Sequence, residues 1–249
     1  ICSQVFLAGR DPVRVFREDV KPTHPLFGLV TPHVDYDTKT VTASAFGFWK
    51  EMTAVYREGC GCTLTIDATR EALLEQAKDI PVHGILRSDL PWPHGSMVDL
   101  SHFPENVDKA KLDQAVEAAF KEPGSDTMRN TQAIVVVYGD KIIAEHYRED
   151  FNRDTPILGW SMSKSVTSAL AGILVRDGKL DIMKPAPVAA WKRQGDPRGA
   201  ITPDMMLRMS TGLDFQESYA PFKDATYMLY ASNSMADYAA AKPLRTEPD

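Results

Sequence analysis

The sequence is most informative at first for what it lacks. No stretch approaches the roughly 18 consecutive apolar residues that a membrane-spanning helix needs, and no Lys/Arg-rich run appears in a chain whose net charge is -6. Without a basic field there is no electrostatic footprint for nucleic acid, and no nucleic-acid partner is expected. Cysteine is scarce: Cys2, Cys60 and Cys62 all lie in the first quarter of the chain. In an oxidising compartment Cys2 could bridge either Cys60 or Cys62, leaving one odd thiol; three free or buried cysteines is the other reading. Cys-Gly-Cys has the wrong spacing for a zinc knuckle, and no nearby pair completes four ligands. The six histidines form no HExxH-type pair, and His83, His94 and His102 read as solvated or structural residues of a proline-rich segment. No metal or cofactor is expected.

What remains is an ordinary globular composition, 43% hydrophobic and 25% charged over 249 residues. A chain of this length removes roughly 70 to 75% of its unfolded surface from water on folding, so a core can form without staples. Residues 1 to 66 read as short strands with turns, including a hairpin around Asp37-Thr38-Lys39 and a half-buried strand at Cys62–Ile66. A helix is expected at 67 to 78. Residues 81 to 104 turn proline-rich and irregular, like a connector, and place a domain boundary near 105. Helical spacing resumes over 106 to 120. Two strands then flank Gly139-Asp140, which favours a tight hairpin. Residues 163 to 176 read as a helix apolar nearly all round, hence buried, with Asp177-Gly178 as its stop. Thr202-Pro203-Asp204 starts another helix, with Thr202 as cap and Pro203 at the first helical position.

Ser161-Met162-Ser163-Lys164 carries the chemistry. On a helix, positions i and i+3 share a face, so a lysine amine can reach the serine hydroxyl without further architecture. A serine is a weak nucleophile until a neighbour accepts its proton, and a lysine can do so once burial favours its neutral form. A helix N-terminus adds partial positive charge where an oxyanion develops. Other nucleophile systems fail on residue order. Gly159-Trp160-Ser161-Met162-Ser163 lacks the last glycine of a nucleophile elbow, and every histidine precedes Ser161, against the Ser, Asp, His order of α/β-hydrolases.

Three ordered segments carry a resemblance: Leu158–Leu170 around Ser161, then Gly178-Lys179-Leu180-Asp181, then Ile201–Leu213. Together they resemble the class C β-lactamase and penicillin-binding serine hydrolase superfamily, in wording nearest to its 6-aminohexanoate-dimer (nylon oligomer) hydrolase-like branch. The resemblance covers about residues 105 to 249. It implies an α+β fold, a β-lactamase-like αβα sandwich incomplete in this chain, behind a β-rich N-terminal extension and connector at 1–104. It implies an acyl-enzyme on Ser161 with Lys164 as base partner, and a small-molecule ester or amide substrate, β-lactam and aminohexanoate-type amides included. Tyr219 falls where that branch places a tyrosine on the bound amide. A relay tyrosine and a late Lys/His-x-Gly oxyanion strand are expected beyond Asp249, in a C-terminal remainder of the same protein, since Tyr230-Ala231-Ser232-Asn233 is a poor substitute. Residues 1 to 66 resemble extensions of exported members, so a periplasmic or extracellular location is expected, with any membrane attachment through a segment removed upstream. The alternative reading is a non-catalytic binding or sensor domain of the same fold.

Overall fold

The computed structural model describes residues 1–82, 84, 87–124, 129–220 and 222–249. They form two compact units, one of Ile1–Thr65 with Arg70–Ile157 and one of Ile66–Thr69 with Leu158–Asp249. Compactness divides the chain at 157/158, whereas composition shifts at 104/105; the proline-rich connector belongs to the first unit. His83 lies outside the described residues.

The first unit departs from the expectation of strands throughout 1 to 66. Residues up to Leu29 are helical: α1 (Cys2–Phe6), α2 (Pro12–Val15) and three tight turns of π or 3-10 type. Two local causes account for this. Cys2 and Val5 are both buried, one helical turn apart. Asp11 accepts a hydrogen bond from Arg14 N at 2.7 Å while Pro12 occupies the first helical position. The strands follow as an antiparallel meander of β1 (Val30–Asp35), β2 (Thr40–Ala45), β3 (Trp49–Arg57) and β4 (Gly61–Leu64), in that order. The β1–β2 turn is the expected hairpin, with Asp35 Oδ1 accepting from the backbone N of Asp37 and Thr38. Val41 and Val55 are its most deeply buried residues. A disulfide joins Cys2 to Cys62, with Cα atoms 6.1 Å apart, and Cys60 is free. The bridge therefore pins a helix, not a strand, to β4.

Further along the first unit come α3 (Arg70–Ala77) and α4 (Lys109–Phe120), the latter capped by Asp108, which accepts from Lys111 N at 3.1 Å. The hairpin of β5 (Ala133–Tyr138) and β6 (Lys141–Tyr147) turns at Gly139 and Asp140, both at positive φ, 53° and 57°. A polar knot then ties the N-terminal helices to the segment after β6. Arg10, only 4% exposed, pairs with Asp19 and Asp150, and its guanidinium and that of Arg148 lie 4.8 and 5.0 Å from the Phe151 ring centroid. Burial works against the charge of Asp150, but the bonds donated by Arg148 and Arg10 outweigh it and hold the carboxyl down to about 2. A carboxyl depressed on folding stabilises above its unfolded value of roughly 3.9, and that contribution is lost as pH falls toward 2. Urea titrations between pH 5 and pH 2 are expected to show a loss of about 1 kcal/mol, after allowance for solvent screening, that Asp150→Asn no longer shows.

The second unit holds α5 (Ser163–Arg176), α6 (Pro203–Leu207), α7 (Asp224–Tyr230) and α8 (Met235–Ala240). Its described residues contain no strand, only an isolated bridge between Leu213 and Leu244. Helix α5 ends as expected, with Gly178 at φ 67° and Lys179 N donating to Leu174 O at 2.8 Å. Thr202 caps α6 by accepting from Met205 N at 3.2 Å. Ala186, Trp191 and Ile201 form the core, with Met205, Leu213 and Leu244 against it. Gly212 allows the close return of the chain: its φ is 70°, its carbonyl accepts from Arg245 N at 2.8 Å, and a Cβ would strike the Thr246 carbonyl oxygen.

The burial expected for α5 is not found. None of its residues is buried, and Val166, Leu170 and Ile173 are exposed. An all-round apolar helix needs elements on more than one side, and within this unit the described residues supply no sheet to cover it.

Candidate active site

Ser161 sits in a single 3-10 turn, Trp160–Met162, that leads directly into α5. The turn closes with Met162 N donating to Gly159 O at 2.9 Å. Trp160 has φ 42°, a left-handed conformation that a bulky side chain adopts at a cost of order 1–3 kcal/mol. Backbone strain thus lies immediately ahead of the serine.

Lys164, in the first turn of α5, donates from Nζ to Ser161 Oγ at 3.1 Å. The i,i+3 spacing is what brings the two together, as the sequence predicts. Both side chains are exposed to solvent. No side chain caps α5: Met162 stands at the cap position and its side chain accepts no hydrogen bond from the first turn. Ser163 N, the first of α5, donates instead to the Ser161 and Trp160 carbonyls of the preceding turn, and the positive end of a 14-residue helix dipole lies next to Ser161.

Tyr219 lies on the segment between α6 and α7, and its ring meets that of Trp160 edge to face, with centroids 5.7 Å apart and planes at 83°. It thus touches the residue that directly precedes Ser161. The sequence signal for Trp160 at the site is its adjacency to Ser161 alone.

Tyr230, weighed as a relay tyrosine, ends α7 and is half exposed. Asp224 anchors a cluster. It accepts from Gln216 N at 2.9 Å and from the Tyr238 hydroxyl at 2.7 Å, and it pairs with Lys242. Lys242, then Gln216 N and Tyr238, hold its carboxyl down to about 2. Lys242 Nζ is also 3.1 Å from the Tyr238 hydroxyl, and Tyr227 stacks on the Tyr238 ring. These bonds tie α7, α8 and the loop before α7 together. Among the described residues no group of three or more His, Cys, Asp or Glu side chains could hold a metal. His94 and His102 are exposed, and His102 Nδ1 lies 2.9 Å from Asp99 Oδ2.

Comparison with known proteins gives the family. The 6-aminohexanoate-dimer hydrolase of Paenarthrobacter ureafaciens is 29% identical over 89 residues, which are 36% of this chain and 23% of that protein. The match thus spans about a quarter of the length of that curated relative. No solved structure matches the chain. A family model described as Beta-lactamase matches residues 114–249, more than half of the sequence and the part that contains Ser161, Lys164 and Tyr219. By that match the chain belongs to the beta-lactamase family, whose members form a superfamily of serine hydrolases.

Proposed function

We propose that this chain is the front part of an exported serine hydrolase that cleaves a small ester or amide through an acyl-enzyme on Ser161. The observation that carries the reading is the 3.1 Å hydrogen bond from Lys164 Nζ to Ser161 Oγ, set at the uncapped start of α5. Ser161 Oγ attacks the carbonyl carbon and its proton passes to the neutral amine of Lys164. The tetrahedral anion then collapses, the leaving group departs with a proton returned from that amine, and water cleaves the acyl ester by the same steps. The positive end of the α5 dipole lies next to the serine where negative charge develops. A neutral amine is favoured when water is excluded, and Ser161, Lys164 and the apolar face of α5 are all exposed. A C-terminal remainder of the same protein, completing a β-lactamase-like αβα sandwich, fits both needs: it covers α5 and closes the site. Tyr219, held beside Trp160, contacts the acyl or amide portion of the substrate. The branch of the matched relative favours an amide or ester of an aliphatic acid, in the manner of a class C-like esterase.

Intact mass measurement after exposure to a fluorophosphonate probe, with peptide mapping, tests this directly. The expected result is one adduct, on Ser161, on this chain or on a chain extended past Asp249. Absence of an adduct on both would leave the fold as a non-catalytic binding domain.

A further inference from the structure

The second unit contains a cavity of about 530 Å³ that includes none of Ser161, Lys164 and Tyr219 in its lining. Its size falls within the range of small-molecule sites. Its wall is apolar, formed chiefly by Trp191, Met209, Leu213 and Phe215, and two carboxylates, Glu217 and Asp237, complete the rim. No Lys, Arg or His lines it among the described residues.

Two features make it a built site. Trp191 is fixed before any ligand arrives: it is 4% exposed, it packs on Ile201, and its indole N–H donates to Ala240 O at 2.9 Å. Met209, by contrast, is 66% exposed and unbranched, able to settle over whatever enters. Several carboxylates elsewhere in this unit are paired, Asp204 with Arg208, Asp196 with Arg198 and Asp224 with Lys242. The side chains of Glu217 and Asp237 have neither an ion pair nor a hydrogen bond among the described residues, although both border the apolar cavity. Two like charges beside low-dielectric surface repel an anion, gain nothing from a neutral molecule and attract a cation.

We infer that this cavity binds an amphipathic organic cation, an alkyl or aryl ammonium whose apolar body packs on Trp191, Leu213 and Phe215 while its charge is held at the rim by Glu217 and Asp237. The site is independent of acylation at Ser161.

Calorimetric titration of the chain with n-octylammonium, octanamide and octanoate at neutral pH and low salt tests the assignment. The ammonium is expected to bind about fivefold or more tightly than octanamide, as two partly exposed ion pairs allow, with octanoate weakest. Glu217→Gln with Asp237→Asn should erase that preference and leave octanamide binding and the thermal midpoint unchanged. Ser161→Ala should alter none of it. Failure of all three ligands to bind, equal affinity for the ammonium and the amide, or a preference that survives the double substitution would each overturn the site, while the labelling of Ser161 remains a separate result.

Discussion

Lys164→Ala is expected to slow covalent labelling of Ser161 by about 10² to 10⁴-fold, the usual worth of a positioned general base, and Ser161→Ala to abolish it. The expectation rests on how little else can take the proton. Lys164 Nζ is the one side-chain group hydrogen-bonded to Ser161 Oγ among the described residues, and no histidine follows Ser161 in the sequence. Lys164→Arg should fare no better than alanine, because a guanidinium keeps its charge and cannot accept a proton. Thermal midpoints should barely move in any of the three, since both side chains are exposed. The readout is the pseudo-first-order rate of adduct formation by intact mass, measured on whichever chain length labels. If Lys164→Ala changed that rate only two- or threefold, Lys164 would be an end-of-helix charge and the base would have to come from elsewhere.

Local rules carried much of the architecture because the relevant signals are short and steric. Gly139-Asp140 has little choice between two β-branched runs, and the hairpin turns there at positive φ on both residues. Thr202-Pro203 starts α6 because a cap and a preset φ coincide. The Ser161–Lys164 contact was legible for the same reason: one helical turn separates the two positions, whatever surrounds them.

What escaped the sequence depends on distant partners. The first 29 residues look strand-like by composition, with Val, Phe and Leu in short runs. Their helical form depends on the cap at Asp11 and on Arg10 reaching Asp150, 140 positions away. The Trp160–Tyr219 ring contact depends on a loop path that no periodicity encodes. Asp224 could not be told from a solvated acid until α8 brought Tyr238 and Lys242 to it. Helix α5 is the opposite case. Its apolar pattern reads as a buried helix, and the described residues of its own unit leave it exposed.

Replacement of Cys2 by serine is expected to destabilise the first unit by about 4 kcal/mol, the loop-entropy value for a bridge spanning 60 positions. The pairing with Cys62 rather than Cys60 makes the test two-sided. Cys62→Ser should cost as much as Cys2→Ser, whereas Cys60→Ser should stay within about 0.5 kcal/mol of the parent, because Cys60 carries a free thiol. Thiol titration of the unfolded, unreduced chain should find one free group in the parent and none in Cys60→Ser. The native side of the bridge also matters: it fastens α1 to β4 and so presents Arg10 to its carboxylate partners. Loss of the bridge should therefore flatten the acid limb of the stability profile as well, since Asp150 would no longer be held low. A cost under about 1 kcal/mol for Cys2→Ser, with the acid limb intact, would mean that the Arg10 knot alone fixes the N-terminal helices. A cost near 4 kcal/mol would make an oxidising compartment a requirement for this unit, in keeping with the proposed export of the protein.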